Sequence, residues 1–420
     1  MKSKNKSMLI ALMMCLLLAT DVLAYPIDGY TLTGIRRLLR LQLILNGTIK
    51  DTPPPTGGLK KLDEIKLNLY DQNSESLYAL PDVDADLQKA LNRLFPNLNE
   101  SYSIALLDIT PGKKIRYAQR QAERSFSPGS VGKLAIAAGL FAELAKIYPD
   151  SFEKRQELLR TTFVKAGPWA ITNVHTVPFF DPKTNNFFKR TVEEKDVFSL
   201  YEWADHMLSV SSNAAASIVW RELMLMREFG KNYPPSEELT KEFFSKSPKS
   251  KLSDIMMSVV NDPLRSVGIS KSEWQLGSFF TRGAKNIVGG EGGSSANPTG
   301  LMKYLVALES GKLVDEKSSL EIKRLMYMTD RRIRYAQSPS LKDAAVYFKS
   351  GSLYKCKPEE NFVCKKYMGN VENYMNSVAI VEHPDGTTYL VTLMSNVLRK
   401  NSGTDHMYLA NQVDNVIRGK

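Results

Sequence analysis

The sequence predicts an α/β (α+β) chain: an antiparallel sheet flanked by helices and built from both ends of one domain, an all-helical lobe inserted between, and a small N-terminal extension. Three observations carry this expectation. "SYSIALLDIT" and "KKIRYAQ", parted by Pro111-Gly112, read as two strands and a turn near the start. "AAVYFKSGSLY", "MNSVAIVEH" and "TTYLVTLMSNV" read as three strands near the end, the last two joined through Pro384-Asp385-Gly386. The stretch between, to about residue 335, carries mostly helical patterns, with no internal repeat.

Residues 1–24 have the layout of a secretory leader. Lys2, Lys4 and Lys6 precede an apolar run from Met8 to Leu18, and Val22-Leu23-Ala24 offers small or apolar residues before a cut. The run is short for a bilayer span, and no later segment approaches the ~20 apolar residues such a span needs. Cys15 lies inside the apolar run, so no lipid-attachment site is read there. The expectation is a mature chain starting near Tyr25, outside the cytoplasm and in the bacterial periplasm. Three lysines and Asp21 leave with the leader, so the formal charge falls from +11 to +9. A basic balance suits an anionic cell-wall polymer or membrane surface, but is more often an ordinary solvated surface. Zinc-finger spacing and aromatic-basic stacking motifs are lacking, and nucleic acid is not an expected partner.

Residues 25–83 read as a small N-terminal domain or extension. "TLTGIRRLLRLQLILNG" is a basic amphipathic helix stopping at Asn46-Gly47, and "DTPPPTGG" then breaks regular structure. Such a helix can touch anionic lipid; packing of its Leu/Ile stripe on its own protein is the reading we favour. Residues 84–420 form the main domain, opened by the acid-capped helix of "DVDADLQKALNRLF" and closed by the helix of "TDHMYLANQVDNVIRG". Cys356 and Cys364, eight apart around Pro and Asn, can close a hairpin as a structural disulfide in an oxidising compartment. A zinc site needs more ligands than are nearby.

Three short segments carry chemistry. In "SFSPGSVGKLAIAAGLF", Lys133 sits in an apolar helical run three residues after Ser130, on the same face. A serine hydroxyl is a weak nucleophile until a base takes its proton. A buried lysine loses its charge more readily, and a neutral amine can be that base. The helix start adds backbone N–H groups and positive dipole character near the attacked carbonyl. Taken alone, the pair is matched by a lysine snorkelling from a surface helix. In "HMLSVSSNAAASIVW", Ser211 can pass a proton to a leaving nitrogen and Asn213 can hold a substrate amide and orient Lys133; an ordinary helix cap is the plainer alternative. In "VYFKSGSLY", Lys349 and Ser350 can bind a carboxylate and Gly351 can leave room for a ligand against the backbone. Ser352 can lend its N–H opposite that of Ser130; the plainer alternative is a surface lysine on an edge strand.

Each segment is weak singly; three in this order are not. The set Ser-x-x-Lys, Ser-x-Asn, Lys-Ser-Gly resembles that of the class A β-lactamases and related penicillin-binding proteins. "IALLDITPGKKIRYAQRQAERSFSPGSVGK", "TVEEKDVFSLYEWADHMLSVSSNAAA", "ANPTGLMKYLVALESGKLVD" and "RRIRYAQSPSLKDAAVYFKSGS" resemble the flanks of that family's motifs, so the resemblance covers roughly residues 84–420. It implies a serine β-lactamase-like fold with the site between sheet and helical lobe. It implies a secreted hydrolase in which Ser130 opens a β-lactam amide, Lys133 takes the proton, Ser211 relays it, and Lys349 with Ser350 binds the carboxylate. No metal or organic cofactor is implied. The alternatives are a D-Ala-D-Ala peptidase acting on peptidoglycan, or a non-catalytic wall-binding module.

The departures are specific. Ser212 stands where the family has Asp, and Ser350 where it has Thr. The family's deacylation glutamate, followed by a Leu-Asn pair, has no counterpart in "GSFFTRGAKNIVGGEGGSSANP"; Glu291 and Glu273 are weak candidates. An insertion is expected around "KNYPPSEELTKEFFSKSPKSK". The family's basic residue on the strand after the third motif is missing from "NSVAIVEHP", with Lys355 or Arg334 as substitutes. The glycines of "VGGEGGSS" lack the Gly-Lys-Ser/Thr of a phosphate loop. The four histidines are scattered and assigned no metal. Met256-Met257 and Met326/Met328 read as core filling.

Overall fold

Both ends of the main domain meet in one sheet. The computed structural model describes residues 25–70, 80–289, 292–327 and 332–420; the expected leader, Glu291 and Met328 lie outside the described residues. Strands β1 (Ser103–Asp108) and β2 (Arg116–Arg120) come from the start, and β9 (Ala345–Lys355), β10 (Glu372–Glu382) and β11 (Thr388–Asn396) from the end. They form one antiparallel sheet built from both ends, as the sequence predicts, with the strands in the order β2-β1-β11-β10-β9. The central pairing sets Leu106 against Val391, and β9 lies at an edge with Ser350 opposite Ser377.

The inner strands read as continuous apolar runs because both faces are covered. Helix α2 (Ala85–Asn92) and the C-terminal helix α12 (Gly403–Arg418) pack on one face, joining Leu87, Leu91, Leu409 and Val413 to Ile104, Leu106 and Val391. On the other face lies the helical lobe. Its centre is α3 (Lys133–Ile147), buried nearly all round, against α5 (Leu200–Leu208), α6 (Asn213–Phe229) and α8 (Lys249–Ser266). Helix α5 starts on a capping box, Ser199 with Glu202, and Asp84 caps α2. The stretch where an insertion is expected forms helix α7 (Glu237–Lys246) and the run into α8. Met256 and Met326 are core residues. No helix among the described residues is long and apolar enough to cross a membrane.

Two features differ from the sequence reading. A hairpin, β4 (Thr176–Asp181) with β5 (Asn186–Thr191), interrupts the middle region. Its aromatic residues stack across the strands, Phe179 on Phe188 at 5.1 Å, a cross-strand pairing that the helical surroundings masked. The basic helix, α1 (Arg36–Leu45), buries not just Leu38 and Leu41 but two of its arginines. Arg37 Nε donates to Asp205 Oδ2 at 2.6 Å, Arg36 Nε donates to Glu202 Oε1 at 2.8 Å, and the Arg40 guanidinium stacks 3.9 Å over Phe187. The basic face is thus turned against α5 and the hairpin.

The N-terminal segment shares the main core instead of owning one: Tyr25, Ile35, Leu38, Ile65 and Leu69 belong to the same apolar cluster as α3. The Tyr25 hydroxyl donates to Glu321, and its backbone N–H to the Tyr327 carbonyl. Further on, Lys60 and Lys323 both pair with Glu382, while Asn68 N–H donates to Glu309.

Breaking a buried ion pair from one side leaves an uncompensated charge. Arg37→Ala is therefore expected to cost about 3–5 kcal/mol in urea unfolding. The apolar double substitution Arg37→Met with Asp205→Leu should recover most of that loss. Equal losses for single and double variants would show that packing volume, not charge, is what matters there.

Candidate active site

The three motif segments arrive at one place because each ends a different element. The chain leaves β2, is tied to Ala296 by two backbone hydrogen bonds at Phe126, and turns through Pro128. Gly129–Gly132 forms one 3₁₀ turn and α3 begins at Lys133, so Ser130 stands on the turn before the helix, not inside it as expected. Gly129 adopts φ +51°, which glycine allows without strain. The Ser211 turn links α5 to α6, where Ser212 is the helix cap, its hydroxyl accepting from Ala215 N–H. Lys349 to Ser352 lie along edge strand β9.

Lys133 is fully buried, and four acceptors converge on its amine. Nζ lies 2.9 Å from Ser130 Oγ, 2.6 Å from the Ser211 carbonyl, 2.8 Å from Asn213 Oδ1 and 3.3 Å from Ser211 Oγ. Burial first, and the Lys349 charge second, hold this amine well below the ordinary lysine value. A neutral amine has two N–H donors and one lone pair. The Ser211 carbonyl and Asn213 Oδ1 only accept, so they take the two N–H groups. The lone pair is then left for the Ser130 hydroxyl. Lys349 Nζ donates to Ser211 Oγ at 2.8 Å, which places the Ser211 hydroxyl between two amines, suited to passing a proton. Ser211 is held at φ +60°, a left-handed conformation that costs a serine about 1–2 kcal/mol and turns its carbonyl toward Lys133.

Gly351 has another reason than the one expected. A Cβ there would lie 2.2 Å from the Pro128 carbonyl and 3.1 Å from Ser130 N. The missing side chain makes room for the Ser130 turn. A Cβ on Gly129 would in turn lie 2.9 Å from Ser352 N. The turn that carries Ser130 and the strand that carries Ser352 therefore run in backbone contact, Gly129 against Ser352 and Gly351 against Pro128. Lys349 Nζ also donates to the Ser350 carbonyl at 3.0 Å, and Ser350 is nearly buried.

Several residues escape the sequence reading. Asn376, opposite Gly351 on β10, donates from its amide to the carbonyls of Ser127 (2.9 Å) and Pro128 (3.0 Å), pinning the turn before Ser130. No local pattern marks it, because only the strand register brings it there. Phe280 places its ring 4.8 Å from Lys133 Nζ. Its loop is fixed by Asn261 at Leu276 and by the Thr281 hydroxyl at the Trp169 carbonyl. Among the described residues no carboxylate pairs with Lys133. Glu273 does not fill that gap, since it accepts from Lys303 and the Ser270 N–H. Burial pushes its carboxyl up, but those partners outweigh burial and hold it below the ordinary value. Of the two candidate basic residues, Arg334 is at the site, its Nη1 donating to the Gly351 carbonyl at 3.0 Å and Nη2 to Ser352 Oγ at 3.2 Å; Lys355 is exposed at the strand end. Cys356 and Cys364 are disulfide-bonded, as expected.

A groove of about 1050 Å³ between Trp169, Arg221 and Phe244 contains none of the motif residues. Convergent titratable groups, not cavity size, locate the site.

A serine, a buried amine and a hydroxyl relay between a sheet edge and a helical lobe are the equipment of serine acyl transfer. The chain belongs to the β-lactamase enzyme family, whose profile matches residues 86–413. It is similar in fold to a β-lactamase from Chitinophaga pinensis (13% identity, TM-score 0.52, covering 80% of this chain and 99% of that one). A class A β-lactamase from Bacteroides cellulosilyticus gives 14% identity and TM-score 0.53, over 80% and 98% of the two chains. The TLA-3 extended-spectrum β-lactamase gives 12% and 0.51, over 79% and 98%. No curated protein sequence matches the chain.

Gly351→Ala is expected to push the Ser130 turn away from β9, costing about 1–3 kcal/mol of stability and about 10²-fold in any acylation of Ser130. Acylation at parental rates by a folded Gly351→Ala protein would show that the close approach is not needed.

Proposed function

We propose that this chain opens β-lactam amides through a Ser130 acyl-enzyme, and that the acyl-enzyme persists. Lys133 takes the Ser130 proton as the hydroxyl oxygen bonds to the carbonyl carbon. The backbone N–H groups of Ser130 and Ser352 receive the oxyanion. The proton passes by Ser211 to the leaving nitrogen as the amide bond breaks, and Lys349 with Ser350 faces the carboxylate. The observation that carries the reading is the four-acceptor shell around a buried amine at 2.9 Å from Ser130 Oγ.

Persistence follows from what lies beside Lys133. Hydrolysis of the ester needs a base for water, typically contributing about 10²–10⁴-fold. Among the described residues no carboxylate pairs with Lys133, and the Phe280 ring lies 4.8 Å from its Nζ. A peptidase acting on D-Ala-D-Ala peptides shares the acylation step, and the lack of a carboxylate beside Lys133 among the described residues weighs toward it against rapid β-lactam turnover. The leader-like residues 1–24 and the disulfide support a site of action outside the cytoplasm.

The test is a chromogenic cephalosporin followed by colour and intact mass together. One equivalent of colour and a lasting mass increase on Ser130, abolished in Ser130→Ala, is the expected result. Steady turnover without an adduct would mean an efficient β-lactamase, and neither signal would sink the acyl-enzyme altogether. The acylation rate should rise with pH as Lys133 loses its proton, levelling well below the ordinary lysine value. The Lys349 charge disfavours the ammonium of Lys133. Lys349→Gln should therefore raise the Lys133 pKa and move the rising limb to higher pH.

A further inference from the structure

The groove of about 1050 Å³ beside Trp169 has an open sheet edge for one wall. Among the described residues, strand β3 (Phe163–Lys165) pairs only with β6 (Val197–Ser199), in a two-stranded antiparallel sheet. Val164 stands opposite Phe198. On either side, Leu200 N–H donates to the Thr162 carbonyl at 3.0 Å and Ala166 N–H to the Asp196 carbonyl at 2.9 Å. Bonding alternates along an antiparallel strand. Thr162, Val164 and Ala166 therefore bond toward β6, and the N–H and C=O groups of Phe163 and Lys165 point the other way. The Lys165 carbonyl shows where: it accepts from Arg221 Nη2 at 3.2 Å, and Arg221 lines the groove.

Sheet edges are usually guarded. This one leaves Phe163 65% exposed and Val197 48% exposed on a single face, since Val197 lies opposite Lys165, two residues along from Phe163. The remaining walls combine rings with cations. Trp169 and Phe244 meet edge-on at 4.9 Å. Lys165, Arg221, Lys241 and Lys249 outnumber the two lining carboxylates, Glu222 and Glu237, which are already paired with Arg221 and Lys241.

We propose that the groove takes an extended, acidic peptide segment of a partner protein, which adds to β3 as a third strand. Strand addition draws affinity from main-chain bonds and specificity from alternate side chains. The free groups of Phe163 and Lys165 supply those bonds. The guest's side chains sort as those of β3 do, where Val164 is buried and Phe163 and Lys165 are exposed. One set meets Trp169 and Phe244, and the carboxylates of the other meet the unbalanced cations. The site stands apart from the acyl-enzyme reading, because none of the motif residues lines the groove.

The probe is a fluorescein-labelled hexapeptide of alternating Val and Glu, followed by anisotropy with the full chain. It should bind, and the same peptide with Lys for Glu should not. Lys165→Glu should weaken the Glu peptide about three- to thirty-fold. Two further peptides carry N-methyl groups on the valines alone or on the glutamates alone. Only one set of nitrogens faces β3, so their affinities should differ about tenfold or more. Phe163→Pro removes an outward N–H while sparing the bonds to β6, and should weaken the parent peptide. If that variant does not fold, the methylated pair tests the same bonds from the guest's side. Ser130→Ala should bind like the wild-type chain. Failure of the Glu peptide to bind at about 1 mM would overturn the proposal. Equal binding of the Lys peptide, or equal effects of the two methylation patterns, would do the same. Displacement by decanoate as potent as by unlabelled peptide would reassign the groove to fatty anions and end the strand-addition reading.

Discussion

The constraint on which the rest depends is the burial of one amine. Lys133 can sit at the head of an apolar helix only if its hydrogens find acceptors and its charge is dispensable. The fold meets both needs at once. The α5–α6 turn supplies a carbonyl and an amide oxygen, and the nearby second lysine discourages the ammonium. What remains is a lone pair and the serine hydroxyl. The strain at Ser211 is the local cost of aiming that carbonyl, and the hydroxyl of the same residue lies between the two amines.

Around this centre, close approach does the positioning. Strand β9 and the Ser130 turn are nearer than any side chain at Gly351 would allow, and Asn376 secures the turn from behind. The positive charge of the chain is distributed in the same structural spirit. The first helix packs on its own protein, the reading favoured from sequence, and its arginines Arg36, Arg37 and Arg40 lock it to α5 and the β4–β5 hairpin. Lys323, buried among glutamates, does the equivalent for residues 60–68.

The sheet and the three motifs were legible because their signals are local: alternation or apolar runs for strands, residue types at fixed spacing for chemistry. Lys133 was legible for a physical reason, since an ammonium in an apolar helix demands an explanation. The residues that escaped are those whose meaning depends on register or on chain crossing. Asn376 matters through its cross-strand partner, and Phe280 through a loop pinned at both ends. The close approach of the Ser130 turn to Gly351 was not legible, because spacing cannot tell which piece of backbone a missing side chain faces. The β4–β5 hairpin was hidden by the helical signal on either side of it.

The pairing of β1 with β11 has a temporal side. Residues that meet across that ladder are nearly 300 positions apart, so the loop they close is almost the whole domain. Ribosomal synthesis delivers Ser130 long before strand β9, which flanks it. Contacts of such separation form slowly. The surroundings of the Ser130 turn are therefore complete only after the last strands dock.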